Sequence, residues 1–490
     1  TMLRKLAGQT AIYGLSTIGV RLLNYLLTPY LTRRMTTGEY GVITDIYSLI
    51  PFLLVLLTMG LETGFFRFFS KGESGDDRRA VFRTTWGAVC CSAGAFLAIV
   101  LLLNRPIARL MEYADHPSYI GMMALIVALD VVTAVPFAKL RAENRAMHFV
   151  GIRLTTVLLN IALCVFCYSV LPHWEALSAW WNPTFGPGYY MVANVAVSFV
   201  ALLLLFPAYR GASPKIEWGR LRPLLVYSLP LLIAAIPGVA NEFIDRQFIK
   251  YMMPEEIAKS SLGIYGAVTK LAVLMTLFVQ MYRYAAEPFF LANFKSDEFR
   301  RVNAETMKYY AAVSVLIFLG ITLFSDLFAY FIGADFRVGM YILPVILLSN
   351  VLAGIVLNLS FWYKHSELTR FAVIITSTGF VVTVLLNLVL IPPLGYIGAA
   401  WARLGCEAVM VIVSYLLCQR YFPIPYNLKR IGLYFGVGAL FYGLGMLAGE
   451  TLPRAISAPI DLVLLAGFCT FVVRVEKIDL RALVRSLGRK

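Results

Sequence analysis

The sequence predicts an all-α integral membrane protein with about 14 transmembrane helices. They form two pseudo-symmetric six-helix bundles and two C-terminal helices, with the N and C termini cytoplasmic. Three observations carry this prediction. Of the 490 residues, 59% are apolar and 14% charged, against roughly 45–50% and 25% in soluble domains. The apolar residues gather in fourteen stretches, most of them near the ~20 residues that span a bilayer core. The chain also resembles itself at an offset of 225 residues. The composition excludes intrinsic disorder, a collagen-like fibre and a disulfide-stapled module, and it leaves too little polar surface for a soluble enzyme of this length.

In chain order the stretches are 6–31, 41–66, 80–103, 119–137, 149–171, 189–206, 224–244, 262–281, 309–332, 338–362, 371–391, 396–417, 431–447 and 458–473. The last two are the shortest. The first carries Arg21 and is too long for the apolar core of a signal peptide. An even number of spans puts both ends on one side, and Lys and Arg decide which side that is. The amino end, the even-numbered loops with their flanks, and the tail hold 31 of the 43 Lys and Arg, and the odd-numbered loops hold 9. Both ends are therefore expected in the cytoplasm. The net charge of +15 then reflects membrane topology, and no nucleic acid is expected as a partner.

Residues 172–188, the longest candidate loop, hold Trp174, Trp180 and Trp181 ahead of Tyr189 and Tyr190, which suits an interfacial aromatic belt. The seven cysteines fall in or beside apolar spans, where they serve as small packing residues. Cys164-x-x-Cys167 lies mid-span, away from any histidine or βαβ context. His116, His148, His173 and His365 offer no metal-ligand spacing, and no metal is expected. Residues 475–490 place Leu480, Leu483, Val484 and Leu487 on one stripe with arginines elsewhere, as in a helix lying on an anionic leaflet.

The 225-residue offset pairs Arg21 with Arg246, Pro29 with Pro254, Gly38 with Gly263, Tyr40 with Tyr265, Gly41 with Gly266 and Thr44 with Thr269. It carries spans one and two onto spans seven and eight. Six spans per copy keep both copies in one orientation, related by an axis along the membrane normal. The expected organisation is an N-terminal bundle over 1–210, a C-terminal bundle over 211–430, two further helices over 431–473 and a cytoplasmic amphipathic tail over 474–490. Duplication of this kind suits a transporter that binds its substrate between two bundles and rocks about that seam.

Charge inside the spans points the same way. A charged side chain at mid-bilayer costs about 2.5–3.5 kcal/mol on insertion scales. Nine ionisable groups lie in or near spans: Arg21, Asp45, Asp130, Glu242, Asp245, Arg246, Lys270, Arg403 and Glu407. They must face protein, water or one another. Glu242, Asp245 and Arg246 share a helix face at i, i+3 and i+4, and Arg403 and Glu407 are one turn apart. Arg21, Asn24 and Thr28 form another stripe. Asp45 and Lys270 are repeat-equivalent, so they could pair across the seam or hold opposite poles of a ligand. Pro51, Pro136, Pro230, Pro237 and Pro344 interrupt spans, as kinked helices do where a cavity opens.

Several short segments carry a family resemblance. Gln9-Thr10-Ala11-Ile12-Tyr13-Gly14-Leu15-Ser16, Glu39-Tyr40-Gly41 at the start of span two and Ile244-Asp245-Arg246 in span seven resemble polysaccharide-export flippases. So do Gly263-Ile264-Tyr265-Gly266 through Lys270, and Trp362-Tyr363-Lys364. This family belongs to the multidrug/oligosaccharidyl-lipid/polysaccharide exporter superfamily. The resemblance implies a flippase, not an enzyme, that moves an undecaprenyl-diphosphate-linked oligosaccharide from the cytoplasmic to the periplasmic leaflet for cell-surface polysaccharide synthesis.

The location implied is the bacterial inner membrane, with membrane lipids, a glycan polymerase and glycosyltransferases as partners. No cofactor is implied, and Na+, H+ or the membrane potential would drive the cycle. Arg21, Lys270, Arg246 and Arg403, with Asn24 and Tyr265, would bind the substrate, since Arg holds diphosphates through its planar donors. Asp45, Glu242, Asp245, Glu407 and Asp130 would serve ion coupling or gating. The near balance of span charges departs from a cationic lumen, so Arg141, Arg145 and Arg153 at the cytoplasmic mouth could help capture the head group. The multidrug and cation exporters of the same superfamily are the rival reading, and a membrane-embedded envelope-glycan enzyme is a second alternative.

Overall fold

In lipid every backbone N–H and C=O must be satisfied within its own segment, so long apolar runs fold as helix. The computed structural model describes residues 19, 22, 23, 25–72, 74–291 and 296–477, and among these there is no strand. Its helices are α1 (Leu27–Arg34), α2 (Thr37–Thr58), α3 (Leu61–Lys71), α4 (Gly75–Leu102), α5 (Pro117–Ala142), α6 (Ala146–Val165), α7 (Gly188–Leu204) and α8 (Trp218–Met252). They continue with α9 (Glu255–Leu271), α10 (Val273–Leu291), α11 (Ser296–Leu323), α12 (Leu343–His365), α13 (Arg370–Leu394), α14 (Tyr396–Tyr421), α15 (Leu428–Thr451) and α16 (Arg454–Val475). Among the described residues 11 helices are long and apolar enough to cross a membrane, and α9 with α10, bent by 51° at their break, would make a twelfth. α7 is a shorter apolar helix of 17 residues. The chain is a multi-pass membrane protein. Most of the expected first span and the stripe at Leu480–Leu487 lie outside the described residues.

Local chemistry sets the helix ends. Thr36 accepts a hydrogen bond from the Glu39 N–H while Glu39 accepts one from the Thr36 N–H, a reciprocal cap that starts α2. The stretch expected to run unbroken from 41 to 66 divides at Met59 and Gly60, both left-handed with φ of 53° and 66°. A side chain at Gly60 would press on the Ser228 carbonyl, so that turn accommodates only glycine. The seventh span is longer than expected and continues through the charges to Met252. Pro344 does not interrupt its span. It lies in the first turn of α12, where a missing N–H costs nothing. Pro223, Pro230 and Pro237 do lie inside α8, seven residues apart, which puts all three on one side of it.

The chain divides into two compact units, one comprising residues up to Ala267 with Gly379–Ala399, the other Val268–Thr378 with Ala400 onward. In the first unit, α4 packs along α5, α5 along α7, and α8 against α2 and α3. Its aromatic core holds Phe65, Phe69, Phe82 and Trp86. Glycines let α2 and α9 approach unusually closely. A Cβ at Gly41 would overlap the Lys259 carbonyl, one at Gly263 the Thr37 carbonyl, and one at Gly266 the Thr44 side chain. Gly41 and Gly266 are repeat-equivalent, as are the fully buried Tyr40 and Tyr265. In the second unit α11 packs on α12, α15 and α16, and α15 on α16.

Candidate functional site

Asp45 is the centre of a buried polar cluster in the first unit. It sits on the third turn of α2, and its side chain and that of Lys250 on α8 are each 1% exposed. Lys250 Nζ donates to Asp45 Oδ2 at 2.5 Å and to the Met111 carbonyl at 2.8 Å. The Tyr113 hydroxyl donates to the same carboxylate oxygen at 2.5 Å, and Gln247 Nε2 donates to Oδ1 at 2.9 Å and to the Ser48 hydroxyl at 2.9 Å. Both carboxylate oxygens are thus occupied, as a charge removed from water requires. Lys250 Nζ also lies 4.5 Å from the centre of the Tyr113 ring. Tyr113 belongs to the segment between Asn104–Leu110 and α5. Burial, then the charge and hydrogen bond of Asp45, push its phenol well above the ordinary value, so it remains a donor.

A second cluster follows one turn earlier on α8. The buried Asp245 accepts the Tyr265 hydroxyl from α9 and pairs with Arg246 at 3.2 Å. Arg246 also donates to the Glu242 carbonyl at 3.2 Å and lies over the Phe243 and Tyr265 rings. Asp245, Arg246 and Tyr265 are therefore brought together, while the Glu242 side chain turns outward. Nearby, Asn241 accepts the Thr383 hydroxyl of α13. Asp130 stands apart on α5, accepting from Ser198 on α7 at 2.8 Å with the Arg153 charge within electrostatic reach.

The other expected residues are dispersed. Lys270 is exposed at the end of α9, two residues before the bend, and Arg403 and Glu407 are half-buried on α14. Arg21 and Asn24 lie outside the described residues. Of the arginines expected at the mouth, Arg141 pairs with Glu62, Arg145 lies 3.9 Å from Glu143, and Arg153 stacks 4.1 Å over Phe137. Lys364 meets Glu287 at 2.6 Å beside the fully buried Trp362. All seven cysteines are free. Among the described residues no three His, Cys, Asp or Glu side chains are placed to hold a metal ion.

Sequence reasoning offered Lys270, the repeat equivalent of Asp45, either as its ion-pair partner or as the opposite pole of a ligand site; in the structure Asp45 pairs with Lys250. Lys250, Tyr113 and Gln247 were all missed. The available signal was the helical stripe itself, since Arg246 and Lys250 continue the i, i+4 spacing beyond the point where the span was taken to end.

A helical bundle of this apolarity, with paired charges inside it, is the framework of a membrane transporter. The chain belongs to the polysaccharide biosynthesis protein family, which matches residues 6–294. It is 20% identical over 379 residues to Lsg locus putative protein 1 of Haemophilus influenzae, covering 74% of this chain and 86% of that protein. Among solved structures it is similar to the lipid II flippase MurJ in an inward closed conformation, with a TM-score of 0.71 at 13% identity, covering 96% of this chain and 100% of that one. It is also similar to an inward-facing multidrug resistance MATE family transporter of the MOP superfamily, with a TM-score of 0.61 at 14% identity, covering 87% and 96%. These likenesses show a shared fold.

Proposed function

We propose that this protein is a flippase of the bacterial inner membrane. It turns an undecaprenyl-diphosphate-linked oligosaccharide from the cytoplasmic to the periplasmic leaflet by alternating access, with both termini cytoplasmic and six-helix halves at 1–210 and 211–430. The observation that carries this reading is where the family match falls. Residues 6–294 match a polysaccharide biosynthesis family, and the described part of that range is mostly helix able to cross a membrane. Movement of a lipid-linked intermediate is one contribution to glycan synthesis that is made within the bilayer and needs no catalytic domain outside it. The lipid II flippase among its structural neighbours supports a lipid-linked substrate.

In this reading Arg21, Lys270 and Arg403 hold the diphosphate. Arg246 joins them from its place beside Asp245, and Tyr265 acts by fixing that carboxylate. Coupling to Na+, H+ or the membrane potential falls to the carboxylates, and the polymerase and glycosyltransferases act before and after the flip.

The drug-exporter reading draws on the MATE neighbours and on buried carboxylates that could attract a cation. In the structure Asp45 and Asp245 are already neutralised by Lys250 and Arg246, which disfavours it. Two measurements test the proposal. Arg21→Ala or Lys270→Ala should abolish surface glycan in cells while the protein still inserts, and normal export with both removed would refute those roles. Proteoliposomes should translocate a polyprenyl-diphosphate glycan and not a cationic dye, and transport of the dye alone would establish the rival.

A further inference from the structure

We propose that Asp45 and Lys250 form a water-replaceable latch that holds the periplasmic ends of the two repeats together and must open in each transport cycle. The inference rests on the alternating-access reading above and adds to it a named pair and its chemistry. The first repeat contributes Thr37, Gly41, Asp45, Ser48, Met111 and Tyr113. The second contributes Gln247, Lys250, Lys259, Ser260 and Gly263. By the Lys and Arg distribution all lie toward the odd-numbered, periplasmic loops.

The contacts among these residues are polar. The ion pair is dry, at 2.5 Å and 1% exposure on each side. Gln247 bridges Asp45 and Ser48, and Lys259 donates to the Glu112 carbonyl at 3.2 Å. The Thr37 and Ser260 hydroxyls meet at 2.7 Å. Between them the helices touch through glycine, main chain against main chain. A permanent junction would gain as much or more from apolar side chains, because burying two charges sacrifices their hydration.

A junction that separates has a different requirement. Parting apolar side chains exposes them to water, an unfavourable change, whereas a parted carboxylate and ammonium regain their hydration. The same holds for the hydroxyls and carbonyls around them. While dry, the low dielectric makes the pair attract strongly. Once water enters, little resists opening. The cluster is thus built to be firm when shut and to yield when wetted.

The test uses the full-length protein in membranes with Thr37→Cys and Ser260→Cys. Oxidation should join these two cysteines, detected by mass spectrometry of the linked peptides, and stop transport until a reductant is added. Unimpaired transport by the cross-linked protein would overturn the proposal. Adding Asp45→Asn with Lys250→Met removes both charges and strands neither, so the helices still insert. With Met in place of Lys250 the joint no longer regains hydration on parting, so the yield of the 37–260 disulfide should rise by about tenfold, the equivalent of about 1.4 kcal/mol, as labelling of residue 260 by a membrane-impermeant maleimide falls. An unchanged yield and unchanged labelling would show that the pair is no latch. These accessibility readouts do not depend on which substrate is moved. A protein that fails to flip the glycan yet shows both changes would lose the flippase reading and keep the latch.

Discussion

The ammonium of Lys250 and the carboxylate of Asp45 neutralise each other, and each would be a liability alone. Removing one partner of a buried pair typically costs about 3–5 kcal/mol, because the other charge is left without compensation. Asp45→Asn and Lys250→Met are therefore each expected to lower the melting temperature of the detergent-purified protein, with the double variant recovering most of the loss. Tyr265→Phe should cost less, about 1–3 kcal/mol, since Asp245 keeps Arg246 while losing one donor. Unfolding in detergent followed by Trp fluorescence would rank the four proteins.

The same residues show how far the sequence could be followed. Asp245 and Arg246 were picked out because charge in an apolar span must find a partner, and Tyr265 because it falls in the repeat and in a segment that carries the family resemblance. Lys250 was missed because Asp245 and Arg246 looked like the membrane boundary. They neutralise each other, so the helix runs past them to Met252. Tyr113 could not be found at all, because its role arises only when a loop 68 residues away folds over Asp45.

At the scale of the helix, glycine positions separate packing from propensity. Gly41→Ala and Gly263→Ala would press a methyl into a neighbouring backbone, which cannot rotate away, and should cost about 1–3 kcal/mol. Gly38→Ala, with open space beyond its Cβ position, should be neutral or stabilise by up to about 1 kcal/mol. Thermal melts of the three variants would check this contrast.

The end of α16 carries a pH-dependent tie. Glu476, just past that helix, meets Lys308 of α11 at 2.5 Å and accepts the Tyr434 hydroxyl from α15. Burial alone would raise its carboxyl. The hydrogen bonds from Lys308 and Tyr434 and the Lys308 charge outweigh that and hold it below its ordinary value. Because the folded value is the lower one, the tie is fully present above the unfolded carboxyl value of about 4.3. It is lost as the pH falls through the folded value. A spin label on Lys477→Cys should gain mobility on acidification below about pH 4.3, and adding Glu476→Gln should make it mobile at every pH. Hydropathy located nearly every one of these helices but not the break at Met59–Gly60 or the bend between α9 and α10. Both breaks fall inside stretches apolar enough to read as single spans, although Glu62 follows the first and Lys270 precedes the second.

For the molecule as a whole, the repeat rests on six identities in the sequence; in the structure one of those pairs, Tyr40 and Tyr265, is fully buried, and another, Gly41 and Gly266, lies in close helix contact. Class and family were legible because a polytopic chain announces itself through composition, and the short segments near Tyr40, Asp245 and Tyr265 fall where α2, α8 and α9 meet. The identity of the substrate left no comparable trace, since polar side chains such as Asn, Thr and Tyr are spread along the helices.

The three prolines of α8 have a mechanical result. Each denies a hydrogen bond to the carbonyl four residues before it, at Gly219, Val226 and Ile233, and its ring pushes that carbonyl aside. With the three notches aligned along one side, their small deflections add up in a single plane instead of cancelling around the axis. α8 should therefore flex like a scored rod, supple in one direction and stiff in the direction across it.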